Sequence, residues 1–229
     1  MVISEQQSSR QRAYEAFTRH LLAHAVRPGQ FVSQRELVEL TGLPVGVVRE
    51  LVSRLEAEGL VMTVPHRGMQ IAYVGIDLIR DAFQYRAMIE REAVASFAIA
   101  ASAEEIADWR RMHEAVLATC ERGLGDKDPA VFLAEAQAMD FNFHTTIVDA
   151  LGNAIISDAY RVNSLKLSLV RQERGRLTMA LLPLAMKDHL SIITALEKRD
   201  AVGAVEAMAR HIMRGRNRSL GIDGESEPR

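Results

Sequence analysis

Apolar residues in the first part of the chain recur at the spacing of short α-helices. Tyr14, Phe17 and Leu21 lie on one face of a first helix, which Pro28-Gly29 ends. The segment Ser33-Gln34-Arg35-Glu36 has the pattern of a capping box, in which a serine caps a helix and a glutamate three residues later returns the bond. A second helix of about two turns is therefore predicted after Ser33.

A third helix follows after a tight glycine turn. Gly42 stops the second helix, and Pro44 suits the first position of a helix that runs to Gly59. Two helices joined by such a turn are typical of a helix-turn-helix. The β-prone runs 60–64 and 69–74, separated by Pro65-His66-Arg67-Gly68, predict a hairpin wing with a basic tip. Residues 1–75 are thus predicted to be a winged helix-turn-helix.

From residue 76 the pattern is helical to the end, so the fold class is mainly α. The spacing of apolar residues predicts an antiparallel all-helical bundle over residues 76–216 and a polar, disordered tail over 217–229. The predicted helices are 77–101, 103–122, 128–150, 154–173, 181–198 and 200–216.

Composition fits two domains that each bury a core. The 229 residues are 48% apolar and 25% charged, and Cys120 is the one cysteine, which excludes an internal disulfide. The chain shows neither a signal-peptide pattern nor an apolar run long enough to span a membrane, so we expect a cytoplasmic protein without a membrane partner.

Arginines mark the points where a winged helix-turn-helix meets double-stranded DNA. Residues 1–75 hold eight arginines and no lysine, and a guanidinium matches phosphate and guanine edges bidentately. Arg49, one turn into the third helix, is placed to read base edges, Arg35 to reach phosphate, and Arg67 with Gly68 to approach the backbone or minor groove. Each alone could be a solvated surface residue; together they favour DNA binding.

This part of the chain resembles the DNA-binding domain of the GntR family. The resemblance spans residues 10–75 and rests on segments that occur in the family's order: Arg27-Pro28-Gly29, Arg35-Glu36-Leu37, Val48-Arg49-Glu50, Arg54–Val61 and Arg67-Gly68. One departure is Pro44-Val45-Gly46-Val47, where the family usually has Ser-Arg-Thr-Pro. Val45 thus replaces a contacting arginine and could pack on a thymine methyl, while Gly46 could let the backbone approach DNA.

Polar side chains interrupt three apolar helix faces in the second domain. Asp140 and His144 lie four residues apart on one face, and His189 and His211 each stand in the apolar stripe of a later helix. Core hydrogen bonds or a buried Asp140–His144 ion pair could explain them singly. Four ligands converging from three helices favour a divalent metal, and three imidazoles with one carboxylate suit zinc, nickel, manganese or iron.

The same residues resemble the metal-binding pattern of the FCD domain, found in the FadR branch of the GntR family. The segments Asp140-x-x-x-His144, Asp188-His189 and Met208-x-x-His211 carry the resemblance, and six helices suggest the shorter, VanR-like version. The resemblance implies a homodimer and an effector, commonly an organic acid, bound at or beside the metal.

Arg86 is a candidate partner for a carboxylate effector, because a guanidinium on a mostly apolar face can pair with it bidentately. A pair with Glu90, four residues on, is the competing interpretation. Asn163 and Arg161 are further effector candidates, for which surface exposure is the simpler explanation.

The predicted function is a transcription regulator whose operator affinity depends on a small molecule. A metal-dependent enzyme is the main alternative, but the paired Glu-x-x-His motifs of di-iron bundles, a nucleophile–base pair and a glycine-rich phosphate loop are absent from the sequence. A sensor whose winged domain docks a protein is a third hypothesis.

Overall fold

The first 74 residues form three helices and a small antiparallel sheet. The computed structural model describes residues 2–175 and 177–222, with side chains from Ser9 onward. Its first elements are α1 (Val2–Leu22), β1 (Phe31–Val32), α2 (Gln34–Thr41), α3 (Val45–Ala57), β2 (Val61–Val64) and β3 (Gly68–Ile71).

Local sequence explains where these helices begin and end. Ser33 and Glu36 exchange both bonds of the predicted capping box at the start of α2, and Gly42 ends that helix with a φ of 69°. α1 ends at Leu22 rather than at the predicted Pro28-Gly29, because the chain already turns at His24, whose φ is 59°. Pro44 stands just before α3 as its N-cap residue.

The sheet has one strand more than the predicted hairpin. The order is β1-β3-β2, with β3 antiparallel to both neighbours; Val64 pairs with Gly68, and Val32 pairs with Met69. β1 has only two residues, which gives too short an alternation to be recognised in the sequence.

The second part of the chain consists of long helices. They are α4 (Ile76–Ala100), α5 (Ala103–Arg122), α6 (Pro129–Asp149), α7 (Ala154–Arg174), α8 (Leu182–Glu197) and α9 (Ala201–Leu220). All six predicted helices are present, each within a few residues of its predicted bounds. No helix of the described residues is both long and apolar enough to cross a membrane.

The predicted tail begins too early. α9 continues through Asn217 to Leu220, because Ser219 is buried and its hydroxyl donates to the carbonyl of Gly215. Residues 223–229 lie outside the described residues.

The chain divides into two compact units whose borders differ from the predicted ones. The first unit comprises residues up to Leu78 together with Leu165–Glu173, and the second comprises Ile79–Ser164 and the chain from Arg174. The C-terminal half of α7 therefore belongs to the first unit, where the Gln172 side chain donates to the carbonyl of Leu21.

Candidate metal centre and DNA-binding surface

Four buried side chains from three helices meet inside the second unit. Asp140 and His144 come from α6, His189 from α8 and His211 from α9, and one potential ligand atom of each lies within 4.8 Å of the others. The i,i+4 spacing on α6 brings its two members to one face, as predicted. These are the four residues that the sequence placed in one candidate site.

The three imidazoles present the same nitrogen to this cluster. Nε2 of His189 lies 3.2 Å from Nε2 of His144 and 3.3 Å from Nε2 of His211. Oδ1 of Asp140 lies 3.5 Å from Nε2 of His189 and 3.9 Å from Nε2 of His144. Two nitrogens that bind one zinc ion at about 2.0–2.1 Å in tetrahedral geometry are roughly 3.3 Å apart, so these separations fit a shared cation.

Each Nδ1 atom faces outward from the cluster to a partner of its own. Nδ1 of His144 lies 2.7 Å from Oε2 of Glu90, and Nδ1 of His211 lies 3.8 Å from Oδ2 of Asp188. The Glu90 carboxylate, 2.7 Å away, favours a proton on Nδ1 of His144, which leaves the lone pair of its Nε2 for a metal. Three imidazole nitrogens and one carboxylate oxygen at these separations are a donor set that fits a divalent metal ion.

Glu90 is the hub of the polar residues around the cluster. One of its oxygens, Oε1, accepts from Nε of Arg86 at 2.5 Å and from the hydroxyl of Tyr160 at 2.6 Å. Burial alone would raise the pKa of Glu90, but Arg86 and His144 outweigh burial and hold this pKa well below its usual range. Glu90 is therefore a carboxylate inside the bundle, whereas its spacing in the sequence predicted only a pair with Arg86.

Arg86 is buried and does pair with Glu90, yet its free end reaches the cluster. Its Nη2 lies 2.7 Å from Nε2 of His144 and 3.5 Å from Nε2 of His211. Burial, followed by the nearby Arg86 charge, lowers the pKa of His144 to about 4. The neutral imidazole of His144 can then accept a hydrogen bond or bind a cation through Nε2.

The other two predicted effector residues have partners elsewhere. Asn163 is buried, and its amide donates to the carbonyl of Ala82 at 3.1 Å. Arg161 is half-exposed and pairs with Asp149 and Asp158, so the structure places it in a surface ion-pair network rather than in the cluster. Surface exposure, the simpler explanation from the sequence, holds for Arg161 but not for Asn163.

His113 is a residue of this region that the sequence analysis missed. It lies on α5, is fully buried, and its Nε2 is 3.0 Å from Nδ1 of His189. Trp109 and Phe143 pack against its ring. The sequence offered little indication of this position, since His113 is a single histidine on a helix where polar and apolar residues alternate irregularly.

In the first unit the predicted DNA-contacting residues lie at the surface. Val45 is 48% exposed at the first position of α3, Gly46 follows it, and Arg49 is exposed one turn later, with no ion pair to any described residue. Arg35 is also exposed and pairs with Glu39 on α2.

The wing tip combines Arg67 with an aromatic ring from β1. The guanidinium of Arg67 lies 4.5 Å from the ring centroid of Phe31. Gly68 has a φ of +88°, and a Cβ there would approach the carbonyl oxygen of Val32 to 3.1 Å. The positive φ and the closeness of β1 thus favour a glycine at this position, independently of any contact with DNA.

Comparison with known proteins decides the family. The model of the FCD domain matches residues 81–214, and the model of the gntR family of bacterial regulatory proteins matches residues 9–71. This chain belongs to the GntR family of transcription regulators that carry an FCD domain. Its relatives are regulators rather than enzymes, so the enzyme alternative is dropped.

Named relatives agree with this assignment. The chain is 26% identical over 171 residues to the uncharacterized HTH-type transcriptional regulator BphR of Paraburkholderia xenovorans, covering 73% of this chain and 67% of BphR. Two solved structures share the fold, each with a TM-score of 0.74. Escherichia coli McbR/YncC is 17% identical over 93% of this chain and 97% of its own. A putative GntR regulator from Rhodococcus sp. RHA1 is 16% identical over 93% and 98%.

Breaking the buried Arg86–Glu90 pair should cost far more stability than breaking a surface pair. Glu90→Gln leaves Arg86 without its counter-charge in the interior, and we expect the free energy of unfolding to fall by about 3–5 kcal/mol. Chemical denaturation of metal-free protein measures this. Asp149→Asn, which removes the exposed partner of Arg161, is the matched control and should cost less than about 1 kcal/mol. Equal losses for the two variants would contradict the assignment.

Proposed function

We propose that this regulator holds a divalent metal ion through Oδ1 of Asp140 and Nε2 of His144, His189 and His211. The observation that carries the proposal is the convergence of these four buried donors, with the imidazole Nδ1 atoms facing outward. Three imidazoles and one carboxylate suit zinc, nickel, manganese or iron, and four protein ligands leave positions for water or a ligand on an ion that accepts five or six.

We further propose a small organic acid as the effector, bound beside the metal. Arg86 supports this role because its Nη2 reaches the cluster while its Nε stays fixed on Glu90. A guanidinium anchored at one edge can offer its remaining N–H groups to a carboxylate. Asn163 and Arg161 support the proposal less, since both are engaged by other groups.

Effector binding would regulate the protein through the spacing of two winged domains. The regulator is proposed to act as a homodimer on double-stranded DNA whose half-sites lie a fixed distance apart. An effector that binds one arrangement of the bundle helices more tightly than another shifts the population toward the arrangement it prefers. The size of this shift is limited by the difference between its affinities for the two arrangements. α7 takes part in both units, because its Tyr160 donates a hydrogen bond to Glu90 and its residues Leu165–Glu173 belong to the first unit.

On the DNA side, α3 is proposed to enter the major groove. Arg49 would read base edges, Val45 and Gly46 would lie close to the bases or backbone, Arg35 would contact phosphate, and the wing tip of Arg67 and Gly68 would reach the backbone or minor groove. Exposure of these residues on one winged helix-turn-helix supports the assignment.

Binding to DNA of random sequence should weaken steeply as salt is added. A protein that contacts several phosphates displaces their counterions, and log K falls linearly with log salt concentration with a slope of about −0.9 per phosphate contact. Fluorescence anisotropy with a labelled random duplex between 50 and 200 mM salt, as a typical range, measures the slope. A flat response would instead favour a winged domain that docks a protein.

Arg49→Ala should weaken specific binding and relax one operator position. The operator is first obtained by selection from random duplexes, and the loss of a base contact should cost roughly 1–3 kcal/mol. Arg111→Ala, which removes an exposed arginine of α5, is the control and should bind like the parent protein. An unchanged sequence preference in the Arg49 variant would remove Arg49 from base reading.

His189→Ala should abolish stoichiometric metal. Elemental analysis and native mass spectrometry of protein purified without chelators give the metal content, the identity of the ion and any bound acid. His20→Ala, which removes a histidine of α1 far along the chain from the cluster, serves as the control. Full metal retention in the His189 variant would show that the ligand set is wrong.

A further inference from the structure

His113 and His189 form a chain of two imidazoles that ends on a backbone carbonyl. Nδ1 of His113 lies 2.7 Å from the carbonyl oxygen of Trp109, and Nε2 of His113 lies 3.0 Å from Nδ1 of His189. His113 and His189 are both fully buried. The chain therefore runs from α5 to α8 through direct contacts.

Hydrogen-bond chemistry fixes the position of every proton along this chain. A carbonyl oxygen only accepts, so Nδ1 of His113 carries a proton and donates it. A neutral imidazole has one N–H, which makes Nε2 of His113 an acceptor. Nδ1 of His189 must then be the donor across the 3.0 Å contact, and Nε2 of His189 keeps its lone pair.

The neutral form of His113 follows from where its ring lies. Charging a ring inside an apolar surround costs several kcal/mol unless a counter-charge is at hand. The rings around His113 belong to Phe143, His189 and Trp109, whose centroids lie 4.9, 5.1 and 6.0 Å from its own, and none of them carries a negative charge.

We propose that His113 is a positioning residue, which holds His189 in the Nδ1–H tautomer so that its Nε2 lone pair faces the metal. This rests on the metal site proposed above. His144 and His211 have carboxylates beside Nδ1, whereas His189 has a neutral imidazole there. His113 orients the ring without adding a negative charge to a region that already holds Asp140, Glu90 and Asp188.

The uncharged partner has a consequence for affinity. Outer partners of metal-binding histidines typically account for a 10–100-fold difference in metal affinity when they are removed. His113→Phe keeps an aromatic ring between Trp109 and Phe143 but removes the acceptor for Nδ1 of His189. We expect zinc affinity to fall about 10–100-fold in this variant.

The conservative variant distinguishes positioning from packing. His113→Gln is smaller than histidine and packs less well, but its side-chain carbonyl can accept from Nδ1 of His189. Zinc affinity is measured by competition with a chelating indicator. We expect His113→Gln to recover most of the affinity that His113→Phe loses; a His113→Phe protein that binds zinc like the parent, or a Gln variant no better than Phe, would overturn the proposal.

The tautomer itself can be read without any metal. Long-range ¹H–¹⁵N spectra of the metal-free parent protein, with His189 assigned through His189→Gln, show which ring nitrogen carries the proton. We expect Nδ1–H for His189, although neutral histidine in water prefers Nε2–H; an Nε2–H form in the parent would refute the proposal even if a variant failed to fold. An Nδ1–H form in a protein that binds no zinc would instead refute the metal site and leave the orientation of His189 intact.

Discussion

Burying a carboxylate in a helical bundle requires groups that offset its charge, and Glu90 has three of them nearby. Arg86, Tyr160 and His144 approach its two oxygens from α4, α7 and α6. Desolvation of the charge would otherwise cost several kcal/mol. The position of His144, and with it the inward direction of its Nε2 atom, depends on this arrangement.

The neighbouring histidines show that one orientation can be reached by different means. His144 is oriented by a carboxylate, and His189 faces a neutral imidazole held by a backbone carbonyl. Whether the partner of Nδ1 is a carboxylate or a neutral imidazole changes the net charge around the site more than it changes the direction of the ring. Arg86 offsets Glu90 and Arg214 pairs with Asp188, so a neutral partner at His189 keeps a further anion out of the interior.

Much of the fold could be predicted from the sequence because the signals that mark a helix lie within the helix itself or next to its ends. The capping box at Ser33 and the apolar stripes of the long helices depend on residues three and four apart, and these were identified. Asp140 and His144 were found for the same reason. β1 was missed, since two residues carry no alternation, and its pairing with β3 is decided by residues far along the chain.

The parts of the site that escaped prediction depend on contacts between helices. Tyr160 and His113 look unremarkable within α7 and α5, and their roles follow from partners 70 and 76 residues away. Arg161 was an effector candidate by residue type, but Asp149 and Asp158 hold it at the surface, which was the simpler explanation from the sequence. The residue type indicates which groups a side chain could bind, but the packing of the helices determines which partner it contacts.

The stacking of Arg67 on Phe31 has an entropic side. A free arginine side chain gives up as much as about 2 kcal/mol of rotamer entropy when it becomes fixed. A guanidinium that already rests on a ring has fewer conformations left to lose when an anion arrives. β1, the two-residue strand that carries Phe31, therefore preorganises the tip of the wing. Without the Phe31 ring, the Arg67 side chain would have more conformations to lose on binding, although β1 makes no backbone pair with Arg67.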